Sequence, residues 1–131
     1  MASSEIESAA ERLLAGLPQR MDRVFRSWAE TAPDRPALIG DGKVWTYGAL
    51  PGIVDGTAAA LRSHGVRGGD RVMVVSENCL ALAGLVLAIS ASDAWAVVVN
   101  PRLSEREIDQ VFDGEDMLFA GGMWALVHQP L

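Results

Sequence analysis

Cysteine occurs once in this 131-residue chain, at Cys79, and lysine once, at Lys43. A lone thiol excludes an internal disulfide and a cysteine-based metal cluster, and fits a reducing, cytoplasmic setting. With one lysine and no G-x-x-x-x-G-K-S/T run, a phosphate loop of the Walker type is excluded. The two histidines, His64 and His128, stand far apart in sequence and away from any plausible nucleophile. No serine occupies a G-x-S-x-G elbow. With so few ligand-type residues, no metal constellation is legible.

Positive charge is short as well. Lysine and arginine number 11 against 17 acidic residues, a formal net charge of −6, and the arginines form no stripe. A nucleic-acid footprint is therefore not expected, and the acidic surface serves solubility. The opening "MASSEIESAAERLLAGL" lacks the basic head and apolar run of a signal peptide and reads as an amphipathic leader helix, with a segment boundary at 1–20.

The least charged stretch is residues 79–99, where Asp93 is the only ionisable acid or base besides the thiol. Its length matches a bilayer. Three features oppose that: the polar turn "SASD", the β-branched "VVV" at 97–99, and Pro101 directly after. A helix, a turn and a strand would each be too short to cross, so a single-pass segment at 79–99 stands only as an alternative.

What is present is half apolar and 21% charged, enough for one domain with a core. Met21, Val24, Phe25, Trp28 and Ala32 recur at helical spacing and predict one helix, stopped by Pro33 and Pro36. Asp41-Gly42 between two short apolar runs predicts a hairpin. A helix follows with Thr46 as its cap, Pro51 in its first turn, Leu50, Val54, Ala58 and Leu61 inward, and Gly65 past its end. Next come a strand "RVMVVSE", a helix over residues 80–89 that is apolar all round, and a second buried strand "AWAVVV". A third helix capped by Ser104 and a strand "DMLFA" complete a βαβαβ order. The fold class is α/β: N-terminal helices and a β-hairpin leading into a parallel-sheet subdomain with right-handed crossovers.

A parallel sheet invites nucleotide at its strand ends. Yet "SENCL" and "NPRLSE", the loops after the first two parallel strands, contain no glycine, and the glycine-rich "GVRGGD" precedes its strand and reads as a turn. Glu105 and Glu107 fall in a first helical turn, where negative charge suits the helix dipole. Asp109, Asp113, Glu115 and Asp116 extend this acidic surface without an acid/base pairing. His64 closes a helix, and Cys79 opens one, a place that can activate a thiol but more simply holds a structural one.

"APDRPALIGDGKVWTYGAL", "HGVRGGDRVMVVSEN" and "AWAVVVNPRLSEREI", in that order, resemble the amino-terminal region of the adenylate-forming (AMP-binding) superfamily: acyl-CoA synthetases, aryl-CoA ligases, luciferases and peptide-synthetase adenylation domains. The resemblance covers residues 24–111 and is most like stand-alone bacterial carboxylate–CoA ligases. It implies an ATP-dependent ligase using Mg2+, CoA and a carboxylic acid, with an acyl-adenylate preceding the thioester. Where the family usually has Glu, this chain has Ala49, leaving half of a capping box with Thr46.

The phosphate loop with its lysine, the adenine- and magnesium-contacting element, the ribose-binding Asp and the C-terminal catalytic lysine of that family have no match here. The tail "GGMWALVHQPL" does not follow the family either. The expectation is a truncated N-terminal portion, inactive alone, with no catalytic, cofactor-binding or metal residue: leader 1–20, partial subdomain 21–119, divergent tail 120–131. The alternative is a non-catalytic module that associates with itself or with a full-length ligase through uncovered sheet edges, Met123 and Trp124 covering one of them.

Overall fold

The structure, a computed structural model, describes residues 2–112, 117–121 and 125–127. The leader forms α1, Ala2–Gly16, and the apolar stripe Ile6, Leu13, Leu14 and Leu17 faces solvent.

The one helix expected from Met21 onward is broken into a 3-10 turn, Met21–Arg23, and α2, Arg26–Thr31. The buried stripe is also rotated: Asp22 and Phe25 go inward, while Met21, Val24 and Trp28 stay exposed. Asp22, 1% exposed, explains the rotation. Its carboxylate accepts from Ser90 Oγ at 3.1 Å and pairs with the Arg20 guanidinium at 3.2 Å. A buried carboxylate needs such partners, and the turn that reaches them displaces the apolar residues.

Strands β1, Pro36–Gly40, and β2, Lys43–Thr46, form the expected antiparallel hairpin. Asp41 and Gly42 both have positive φ, 53° and 69°, as a two-residue type I′ turn requires. Helix α3, Leu50–Ser63, buries Leu50, Val54, Ala58 and Leu61 as its spacing predicts. Thr46 does not cap it. Tyr47 N–H donates to Arg35 O and Gly48 N–H to Pro33 O, so hairpin-like bonding continues past Thr46 and the helix starts later, with Ala49 at the N-cap. Gly65, φ 94°, ends the helix as expected.

Strand β3, Arg71–Val75, helix α4, Leu80–Ala91, strand β4, Trp95–Val99, helix α5, Glu105–Phe112, and strand β5, Met117–Gly121, follow in the βαβαβ order. Strand β3 pairs in parallel with both β4 and β5, in unbroken register over five residues each. Strand β6, Ala125–Val127, adds antiparallel to β5 and gives the order β4-β3-β5-β6. That strand was not legible in the divergent tail. Met123, Trp124, Asp113, Glu115, Asp116 and His128 lie outside the described residues.

Because the second crossover runs opposite to the first, right-handed connections put α4 and α5 on opposite faces. Val72 and Val74 of β3 pack with α3 and α4 residues such as Val54, Leu61, Ala88 and Ile89. Met73 points to the other face with Val99, against Val75, Val97 and Leu103. Gly84 sits where the hairpin meets α4; a Cβ there would lie 3.1 Å from the Trp45 ring.

Strand β4 departs from the buried strand expected. Trp95 is 70% and Val98 54% exposed, and within β4 only Val99 is buried. The reason is position: β4 is an edge, bonded among the described residues to β3 on one side only. Residues 79–99 thus divide into the 12-residue α4, a turn at Asp93 with φ 57°, and β4. No helix among the described residues is long and apolar enough to cross a membrane.

Candidate functional site

Ligands of open parallel sheets bind outside the carboxyl ends of the strands. Here the loops leaving β3 and β4 enclose a cleft of about 320 Å³, lined by Ser76, Glu77, Asn78, Asn100 and Arg102 with Val98 and Val99 as its floor. Four of these polar residues, Ser76, Glu77, Asn100 and Arg102, have partners within the chain. Arg102 Nε lies 3.7 Å from Glu77 Oε1, and the Arg102 N–H donates to Asn100 Oδ1 at 2.9 Å. Ser76 Oγ donates to Glu77 O at 2.9 Å.

Both helix N-termini at this edge are occupied. At α4, Leu82 N–H donates to Cys79 Sγ at 3.4 Å and Leu80 N–H donates to Asp41 Oδ2 at 3.1 Å, so the hairpin tip supplies the carboxylate that such a terminus attracts. At α5, the Ser104 N–H and Oγ–H both donate to Glu107 Oε2, at 2.9 and 2.7 Å. These bonds hold the Glu107 carboxyl below the usual carboxylate range. Ser104 stands just before the helix as expected of a cap, but its hydroxyl donates to Glu107 instead of accepting a helix N–H, so what is seen is the Glu half of a capping box.

The other sequence candidates contact their own neighbourhoods. Around "GVRGGD", Gly69 N–H donates to Asp93 O and Trp95 N–H to Asp70 O, tying the entrance of β3 to that of β4. The His64 ring Nδ1 lies 2.8 Å from Ala60 O, at the end of α3. Cys79 has Ser76 Oγ 3.7 Å from its sulfur. Among the described residues no group of three or more His, Cys, Asp or Glu side chains is placed to hold a metal ion.

Two groupings were not read from the sequence. Asp22 carried no signal beyond its place beside an apolar stripe. Arg20, which bridges Asp22 to Asp93 through a 2.6 Å contact and has its pKa raised chiefly by the Asp93 bond, could only be found once the fold brought residues 20 and 93 together. Arg26 and Asp55 form a bidentate pair at 2.7 and 3.1 Å that links α2 to α3 and lowers the Asp55 pKa.

A hairpin-preceded parallel sheet, with its strand order reversing at β3 and its glycine turn closing the entry side, defines the amino-terminal subdomain of an adenylation-type α/β protein. Residues 25–117 match the AMP-binding enzyme family, and the chain belongs to that family. It is 33% identical over 100 residues to 3-oxocholest-4-en-26-oate–CoA ligase of Rhodococcus rhodochrous, covering 76% of this chain and 17% of that protein. Against 3-hydroxybenzoate–CoA ligase of Aromatoleum sp. (strain CIB) the identity is 30% over 105 residues, 79% of this chain and 20% of that one. The N-terminal subdomain of NpsA from Klebsiella oxytoca superposes with a TM-score of 0.67 at 30% identity, covering 72% of this chain and 25% of that chain. The chain thus corresponds to an N-terminal region of acid–CoA ligase-type proteins, spanning about a fifth of the curated relatives it matches.

Proposed function

We propose that this chain is scaffold from the amino-terminal part of an ATP-dependent acid–CoA ligase and contains no catalytic, cofactor-binding or metal-binding residue of its own. The supporting observation is that both helix N-termini at the carboxyl edge of the sheet are filled by the chain's own carboxylates, Asp41 and Glu107. A nucleotide triphosphate does not fit such an edge. Its phosphates would meet Glu77 beside Arg102, with no lysine and no glycine in either loop.

ATP, Mg2+, CoA and the carboxylic acid are then handled by other parts of a ligase. The subdomain proper is residues 21–119, with a leader at 1–20 and a tail at 120–131, and a reducing cytoplasm suits its single thiol. Purified chain incubated with MgATP and a panel of aromatic, steroid and fatty acids is expected to release no pyrophosphate above the protein-free control. Acid-dependent release would overturn the reading.

A second reading, a non-catalytic module that self-associates, is favoured by one observation: the open, apolar edge strand β4.

A further inference from the structure

We propose that β4 is a self-complementary edge through which two copies of this chain pair antiparallel about Val97, joining two four-stranded sheets into one continuous sheet. The proposal rests on the association reading above and gives it a surface and a register. Among the described residues no strand pairs with the outer side of β4.

Exposed edges are usually blunted by charge, proline, a bulge or brevity. Strand β4, "WAVVV", has no charge and no proline, and its five residues keep an unbroken register with β3. The opposite edge, β6, spans three described residues, Ala125–Val127. A two-fold contact at β4 uses up the long edge in both copies, so assembly closes at two.

The strand is complementary to itself in side chains as well as backbone. With the two-fold at Val97, Trp95 falls opposite Val99 of the other copy on one face, and Ala96 opposite Val98 on the other. The first is an aromatic–β-branched pair of the kind that stabilises sheets. It would cover the 70% exposed Trp95, and the second would cover Val98, 54% exposed.

Charge agrees with this direction. Antiparallel pairing sets the start of each strand beside the end of the other. Asp93, which Arg20 contacts on one side, precedes β4 with its side chain 65% exposed, and Arg102, 3.7 Å from Glu77, follows it at 81%, so both keep surface for a second partner. Arg102 of each copy therefore approaches Asp93 of the other, twice by symmetry. A parallel arrangement would instead bring like charges together.

The test uses the full chain and two double variants at exposed positions, A96K/V98K and A96E/V98E. In the proposed register residue 96 faces residue 98, so each variant opposes like charges, while an equimolar mixture sets Lys against Glu. Sedimentation equilibrium is expected to show a wild-type dimer, two monomeric variants with wild-type circular dichroism, and a heterodimer on mixing. The heterodimer excludes misfolding as the cause of dissociation. A monomeric wild type overturns both the edge contact and the association reading. A dimer that persists in the double variants overturns β4 alone, and variants that dissociate but do not recombine overturn the register.

Discussion

Replacing Asp22 by alanine leaves the Arg20 guanidinium and the Ser90 hydroxyl facing a site that is 1% exposed, without the carboxylate that joined them. The expected loss is about 1–3 kcal/mol, the usual result of removing a buried hydrogen-bonding partner. Asp22→Asn, which keeps one acceptor for Ser90, should lose less, and urea unfolding midpoints measure both. Glycines offer the complementary case. A Cβ on Gly84 would sit 3.1 and 3.3 Å from Trp45 and 3.5 Å from Ile53, so Gly84→Val is expected to cost about 1–3 kcal/mol and to shift tryptophan fluorescence. Gly56, on the exposed side of α3, has nothing within 4 Å of its would-be Cβ. Gly56→Ala should stabilise by about 0.5–1 kcal/mol through helix preference alone. The sequence placed all these residues in helices or turns; which of two glycines is packed against an aromatic ring is settled only by which elements meet.

Between elements, the Arg26–Asp55 pair joins α2 to α3 and keeps the Asp55 carboxyl below its ordinary range, chiefly through the direct hydrogen bond. A carboxylate depressed in the folded state stabilises at neutral pH, and that contribution fades as pH falls through the folded value. Wild type should therefore lose its advantage over Asp55→Asn on acidification, measured as the difference in thermal midpoints across pH. Both side chains are substantially exposed, so the difference should stay below about 1 kcal/mol. Glu107 at α5 carries the same sign, and helicity of that segment should fall with it. Helices α3 and α5, the hairpin and the βαβαβ order were legible because spacing and turn residues are local. The break before α2 was not, because its cause, Ser90 against Asp22, spans 68 residues. Nor was the exposure of β4: an all-apolar run reads the same for a central strand and for an edge. The site was legible mainly through absences, the missing glycines and lysines of its loops; that Asp41 reaches the N-terminus of α4 required the hairpin to be folded against it.

At the scale of the whole molecule, the cooperative unit should be smaller than the chain. Among the described side chains, the core clusters draw on Phe25 and on residues of β1, α3, β3, α4 and β4, and they include nothing from α1. Ile6, Leu13, Leu14 and Leu17 of the leader are each at least 60% exposed. Burial is what converts an apolar stripe into folding energy, so an exposed stripe contributes little to the transition. Deleting residues 2–16 is therefore expected to leave the denaturant midpoint within about 0.5 kcal/mol of wild type, as for changes away from packed features. Far-UV circular dichroism should lose one helix while the near-UV signal of the tryptophans, all of which lie outside the deleted segment, persists. If the deletion instead lowers stability markedly, the leader packs on the core in solution, with the exposed Met21, Val24 and Trp28 beside it as the natural place. The boundary of the folded unit would then move from about residue 20 to the start of α1.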